Sequence, residues 1–322
     1  MTKLFFLLFT IATVLFPFLP AHSESFPNKP ISIITGSAAG SGQDAIIRSF
    51  VKFAEEETKY EYIVVNKPGA GNLIASRYMA LEAKPDGYQI YITSGNSSLS
   101  QAPLLYKDLG YDPLTSFTPI ATLLSGTFNI AVPANSKIES VEELTQKLKS
   151  MKEIPLYAYT NSFGQMASEV YLSRIGVTGR AVAYKDPSNL INDFNGPNNL
   201  EFIFHDNGFM LGRPETFRPL AVTSATRFPL QPDLKTMQEH GVKNFDMSAW
   251  FVVLAPKNTP KDIVNKLENI VEVTSKSQAW NESLKRFYQV PWVVKGKELQ
   301  TFMINDAQYW KEVAKTANIE PE

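Results

Sequence analysis

From residue 31 onward the chain alternates short runs of β-branched and aromatic residues with helix-length amphipathic runs. ISIITG (31–36) precedes a helical pattern near 43–57, YIVVNKPG (62–69) precedes one near 71–83, and YQIYITSG (88–95) closes the first series. Parallel strands need long connections, and a helix is the element that packs back on the sheet it leaves. The alternation therefore predicts parallel sheets flanked by helices. After a Pro-rich connection a second series starts with FNIAVPA (128–134) and the helix SVEELTQKLKSM (140–151). Ser140 is a good N-cap there, with Glu143 three residues on completing a capping box. PLYAYT (155–160), a helix near 164–175, RAVAYKD (180–186), LEFIFHD (200–206), PLAVTS (219–224) and WFVVLAP (250–256) follow. Two helical runs end the chain, the first with Thr259 as N-cap and Pro260 at the first helical position, the second over 297–317. Two series in 322 residues predict two α/β domains.

Residues 1–23 stand apart. Lys3 gives a positive start, LFFLLFTIATVLFPFLP is apolar, and Ala21-His22-Ser23 places small residues at −3 and −1 of a cleavage site. This reads as a secretory signal peptide. Export is compatible with the absence of Cys, provided the core alone holds the fold, and a chain this long buries enough surface for that. With 31 Lys and Arg against 32 Asp and Glu, well mixed, no basic block tracks a phosphate backbone, so nucleic acid is not an expected partner.

Ligands of open α/β sheets sit at the carboxyl ends of the strands. Three strand ends here share small, hydroxyl-bearing loops: SAAGSG (37–42), TSGNSS (93–98) and TNSFG (160–164). Without bulky side chains, main-chain N–H groups can approach a bound group, and the helix that follows adds a partial positive charge suited to a carboxylate or phosphate. The same residues also make ordinary turns. Asp44, in the first turn of its helix, either occupies that dipole or orients the loop by accepting its N–H groups. Sharper motifs are missing. Gln43 follows Gly42 where a P-loop needs Lys, GAGNLI (69–74) lacks the third glycine of a dinucleotide fingerprint, and no G-x-S-x-G elbow occurs. After residue 23 the His residues are His205 and His240, with no carboxylates at ligand spacing, so no metal, cofactor or catalytic residue is expected. His205–Asp206 has no partnered nucleophile. His240 reads as a helix C-terminal residue before a Gly cap.

KPISIITGSAAGSGQDAIIR (29–48), VVNKPGAGNLIA (64–75), AKPDGYQIYITSG (83–95), LYKDLGYDPLTSFTPIATL (105–123), RPLAVTSATRFPLQPDLKTMQEHG (218–241) and SAWFVVLAPKNTP (248–260) occur in this order. In order and spacing they resemble the Bug family of extracytoplasmic solute receptors, the binding components of tripartite tricarboxylate transporters. The resemblance implies a two-domain Venus-flytrap periplasmic binding protein (type II), α/β, with mostly parallel sheets flanked by helices. It implies domain 1 over 24–125 plus 251–322, with the C-terminal helices packed back on it, and domain 2 over 126–250. It implies a monomer in the periplasm that binds a small carboxylate and hands it to membrane permease subunits. The carboxylate would be held by main-chain amides, Ser/Thr groups and waters, without an Arg clamp. A receptor docking on a sensor kinase instead of a permease is the alternative, and a secreted enzyme using His205 is a third. Family ligand positions fall on Ser37, Ala38, Ala39, Gly40, Ser41 and Asp44, then on Thr93, Ser94 and Ser97. In domain 2 they fall on Thr160, Asn161, Ser162 and Gly164, on Tyr184 beside Lys185, and on Asp206. The chain departs from the family pattern at Gly36-Ser37, where Pro-aromatic is usual, at Phe163 and Gln165, and at Asp186, so domain 2 is the altered half.

Overall fold

In the computed structural model the described residues are 26–184, 187–196, 198–316 and 319–321. The expected leader over 1–23, Lys185 and Asp186 lie outside them. In chain order the elements are β1 (Ile31–Thr35), α1 (Gly42–Thr58), β2 (Tyr62–Asn66), α2 (Leu73–Leu81), β3 (Gln89–Ser94) and α3 (Ala102–Leu105). Next come β4 (Phe117–Pro133), α4 (Val141–Ser150), β5 (Leu156–Tyr159), α5 (Ser162–Ile175), β6 (Arg180–Ala183) and α6 (Pro187–Phe194). Then β7 (Leu200–Asp206), α7 (Asn207–Leu211), β8 (Phe217–Val222), β9 (Ser248–Pro256), α8 (Lys261–Lys276), α9 (Gln278–Arg286), β10 (Val290–Pro291) and α10 (Gly296–Thr316) complete the chain.

The strands run β2-β1-β3-β9-β4-β7-β5-β6, with β8 and β10 also on β4. Parallel pairing is found among β2, β1 and β3 and again among β7, β5 and β6. At the centre β9 and β4 run antiparallel to their neighbours. β4 is shared by both sheets. Its residues 117–127 pair with β9, and residues 128–131 pair with β7. The crossing is pinned by Thr127 and Thr223: the Thr223 amide donates to Thr127 Oγ1 (3.1 Å), and Thr223 Oγ1 donates to the Met247 carbonyl (2.7 Å).

Side-chain alternation divides each strand between two cores, as the period of two requires. Ile31 and Ile33 of β1, Ile90 and Ile92 of β3, and Phe251 and Val253 of β9 face α1, α8 and α9. Ile34, Tyr91, Trp250 and Val252 face α2 and the start of α10. In the second sheet Ile130, Tyr157, Phe202 and Phe204 face α4 and α5, whereas Ala131, Ala158 and Ile203 face α6 and α7.

Three local expectations are corrected. The Pro-rich connection contains the first half of β4. Pro119 suggested a loop because it donates no hydrogen bond to a sheet, and the chain accommodates it with a register shift between Pro119 and Ala121. Thr259 does not cap α8: its hydroxyl donates to the Pro256 carbonyl (2.7 Å), and Pro260 occupies the cap position. His240 sits in a turn without a regular helix, its Nδ1 2.5 Å from Glu142 Oε2, with Gly241 at φ +82° after it. Ser140 does cap α4, accepting from the Glu143 amide (3.2 Å), while Glu143 reaches back to the amide of Glu139. The expected packing of the C-terminal helices on the first unit applies to α8 and α9. α10 does more. Its 21 residues span about 30 Å, so Leu299 and Met303 join the first unit's core while Trp310 and Val313 join the second's.

Candidate functional site: a cleft between the two sheets

A cleft of about 920 Å³ opens where β4 crosses between the sheets. One wall is the β1–α1 loop: Gly36, Ser37, Ala38, Ser41, Gly42 and Gln43. Sequence makes this loop rigid. The Ser37 amide donates to Thr35 Oγ1 (3.2 Å), Ser37 Oγ donates to Gln43 Oε1 (3.1 Å), and Asn66 Nδ2 donates to the Ser37 carbonyl (2.9 Å). Ser41 caps α1, accepting from the Asp44 amide (3.3 Å). Gly42 and Gln43 line the cleft, and their amides, in the first turn of α1, have no intrahelical acceptor by helix geometry. A partial positive charge is thereby presented to the cleft. Gly36 is required because a Cβ there would fall 2.4 Å from Asn72 Oδ1, and Asn72 also lines the cleft.

Asp44 supports this wall from behind and does not line it. Its Oδ2 accepts from the Gly40 amide and Arg48 Nε, each at 2.8 Å, and its Oδ1 accepts from Asn66 Nδ2 at 2.8 Å. Burial alone would raise its pKa; the bonds from Arg48, Asn66 and Gly40 outweigh burial and bring it to about 2. Asp44 is therefore ionised and fully engaged, and it positions the loop. Gly40 and Ala39 lie on the outer side of the same turn, off the cleft lining.

A second segment follows β3. Ser94 and Ser97 line the cleft, the Ser97 amide donating to Ser94 Oγ (3.4 Å). Thr93 turns inward to Ser98 (2.7 Å), in a buried hydroxyl chain with Tyr91 and Ser76.

The opposite wall is aromatic. Phe128 and Phe163 line it, together with Asn161, Asp206 and Gly208. Asn161 caps α5, its Oδ1 accepting from the Gly164 amide (2.9 Å). Gly164 is off the lining and closely packed: a Cβ would meet the Phe204 carbonyl oxygen at 2.6 Å. Thr160 is off the lining too, and Ser162 is the first residue of α5. Tyr184 lies elsewhere. It packs among the residues that face α6 and donates to Asp193 Oδ2 (3.0 Å). Burial, then the Asp193 carboxylate, pushes its phenol up to about 12. Asp206 caps α7 by accepting from the Phe209 amide (2.9 Å), and its Oδ2 is 2.7 Å from His205 Nδ1. Burial opposes its ionisation, but His205 and the Phe209 amide hold its pKa below the ordinary value. His205 stacks on Phe209 with centroids 4.0 Å apart.

Of the residues singled out from sequence, Ser37, Ala38, Ser41, Ser94, Ser97, Asn161 and Asp206 meet at the cleft. Ala39, Gly40, Asp44, Thr93, Thr160, Gly164 and Tyr184 do not line it, and the side chain of Ser162 lies outside the described part. Sequence reasoning missed the third contribution, Arg286, Phe287 and Gln289 at the end of α9, and also Phe251 and Tyr106. No loop signature marks α9. Its cleft face arises only because α8, α9 and β10 fold back along β4 and α1. Among the described residues no group of three or more His, Cys, Asp or Glu is placed to hold a metal ion, and no helix is long and apolar enough to cross a membrane.

Comparison with known proteins identifies the architecture. The family described as the tripartite tricarboxylate transporter family receptor matches residues 46–319, starting after the β1–α1 loop. A UPF0065 protein of Bordetella pertussis is 28% identical over 333 residues, 99% of this chain and 100% of its own. The structure of the periplasmic binding protein BugD aligns with TM-score 0.75 and 27% identity, over 92% of this chain and 100% of its own. R. palustris Rpa4515 with adipate aligns with TM-score 0.79 and 26% identity, over 92% and 100%. The two sheets joined through β4 are thus the two-domain type II binding-protein fold, and the chain belongs to the tripartite tricarboxylate transporter receptor family, the Bug-type solute receptors.

Proposed function

We propose that this protein is a periplasmic receptor that captures a small organic carboxylate in the interdomain cleft and delivers it to a membrane permease. The observation that carries the reading is the β1–α1 loop. Its small residues bring the first turn of α1, Gly42 and Gln43, to the cleft wall, and a fully bonded Asp44 fixes the loop that precedes them. Such a site binds an anion without rearranging, so little ordering cost opposes binding. It works by a population shift toward a closed form, with no bond chemistry. The domains we propose are 24–125 with 251–322, and 126–250, moving about β4 and β9 where they run between the sheets. The receptor acts as a monomer and needs no cofactor. Ser37, Ala38, Ser41, Ser94 and Ser97 are its ligand contacts on domain 1, and Asn161 and Asp206 those on domain 2.

Thermal unfolding of residues 24–322 against a panel of carboxylic acids tests this. A ligand at a hundred times its dissociation constant stabilises by about 2.7 kcal/mol. The expected result is a clear upward shift with one class of acid, lost in Ala38→Trp, which fills the cleft from an exposed position. A flat panel on a well-folded protein refutes the reading.

A further inference from the structure

Among the described residues the cleft lining carries two charged side chains, Asp206 on domain 2 and Arg286 on domain 1. They differ in what already satisfies them. Asp206 is engaged by His205 and by the Phe209 amide. Arg286 stands in the last turn of α9, exposed, and among the described residues it makes no hydrogen bond or ion pair. Its neighbour Lys285 is paired with Glu282 (2.7 Å). A guanidinium that lines a cleft and has no internal partner is a ready bidentate site for a carboxylate. It stands on the same domain as Gly42 and Gln43, whose amides at the N-terminal end of α1 have no intrahelical acceptor, so positive potential collects on one wall.

Among the described residues the other wall offers no counterpart for a second negative charge. Phe128 and Phe163 stack there with centroids 3.8 Å apart. Asn161, its Oδ1 held by the Gly164 amide, presents a neutral amide group. Asp206 is an ionised acceptor with nothing to donate to another carboxylate. On the domain 1 side, Leu105, Leu124 and Phe251 add apolar surface to the cleft.

Resting on the receptor reading above, we infer that the cleft selects a monoanionic acid with an apolar body, with Arg286 as the counter-charge for its carboxylate and Asp206 excluding a second one. The apolar body lies against Phe128 and Phe163. This goes against the expectation that no Arg takes part in ligand binding.

Hexanoate and adipate separate the possibilities, because they share a six-carbon chain and differ by one carboxylate. Titration calorimetry on wild type, Arg286→Gln, Arg286→Lys and Asp206→Asn reads both charges, and phenylacetate adds an aromatic body. Asn is itself a good helix cap, so Asp206→Asn keeps α7. The expected result is that hexanoate or phenylacetate binds wild type at least tenfold more tightly than adipate. Arg286→Gln weakens that binding by about ten- to a hundredfold, the size of a lost charged hydrogen bond. Arg286→Lys recovers part of it, and Asp206→Asn narrows the gap to adipate. Adipate binding wild type as tightly as the monoacids, or Arg286→Gln binding like wild type, overturns this inference and leaves the receptor reading standing. Equal losses in Arg286→Gln and Asp206→Asn, with no further loss in the double variant, show that the two side chains act as one unit and overturn it as well. No binding of any acid by folded wild type overturns both.

Discussion

The ring of Phe128 stacks on that of Phe163 with centroids 3.8 Å apart and planes 23° from parallel, and Phe163 meets Trp310 edge-on at 5.6 Å. Three distant segments converge here: the residue at which β4 enters the second sheet, the first turn of α5, and the far end of α10. Phe163 is both cleft wall and core, at 6% exposure. Phe163→Ala is therefore expected to destabilise by about 3 kcal/mol through cavity formation. Phe163→Leu, which keeps much of the volume, loses less. Urea unfolding of the two variants against wild type checks the order.

Asp44 ties the loop to pH. Its folded pKa of about 2 lies below the ordinary 3.8, so its contribution to stability is present above the ordinary value and is lost as pH falls toward 2. Asp44→Asn is expected to lower the melting temperature by a few degrees at pH 7. That difference shrinks between about pH 4 and pH 2, where the wild-type carboxylate also becomes neutral. A melting series over pH 2–7 for both proteins reads this, and a difference independent of pH contradicts it.

Asp306 behaves in the opposite sense. It sits on α10 between the two cores, accepting from Ser100 Oγ and from Trp250 Nε1 (3.3 Å). Burial raises its pKa to about 6 despite those bonds, and the charge of Asp246 adds to the rise. Here the ionised form is penalised in the folded state. The cost begins as pH rises past the ordinary 3.8 and is complete above about 6. Asp306→Asn keeps an acceptor for both donors and removes the charge. It is expected to stabilise by on the order of 2 kcal/mol at pH 8, with the gain gone below about pH 4. Denaturant titrations at the two pH values test the sign.

Two glycines make a matched pair. A Cβ at Gly164 would fall 2.6 Å from the Phe204 carbonyl oxygen, in the contact between α5 and β7. A Cβ at Gly42 would meet nothing within 4 Å. Gly164→Ala is expected to cost roughly 1–3 kcal/mol by overpacking, and Gly42→Ala to leave stability within about 0.5 kcal/mol of wild type. Gly42 lines the cleft, so its variant is informative for ligand affinity measured alongside the same denaturation curves.

What the sequence by itself determined is local. Runs of β-branched and aromatic residues between helical patterns marked β1, β7 and β9, because such side chains suit a sheet packed on both faces. Ser140 marked a helix start because a short acceptor satisfies an exposed amide one turn on. The loops at 37–42 and 93–98 were legible as candidates because similar small, hydroxyl-bearing loops recur at strand ends, and the order of the motifs along the chain carried the family resemblance. Tertiary structure decided the rest, through contacts that no short window contains. Pro119 stays in a strand because β9 accommodates a bulge opposite it. Tyr184 is off the cleft because Asp193, nine residues on, accepts its hydroxyl. α10 joins both cores because its length exceeds one sheet's face. Arg286 and Phe287 reach the cleft only by the folding back of α9, and whether an arginine at a helix end is solvated or faces a ligand depends on what lies across from it. Spacing fixes which groups a segment can present; packing alone fixes what they meet.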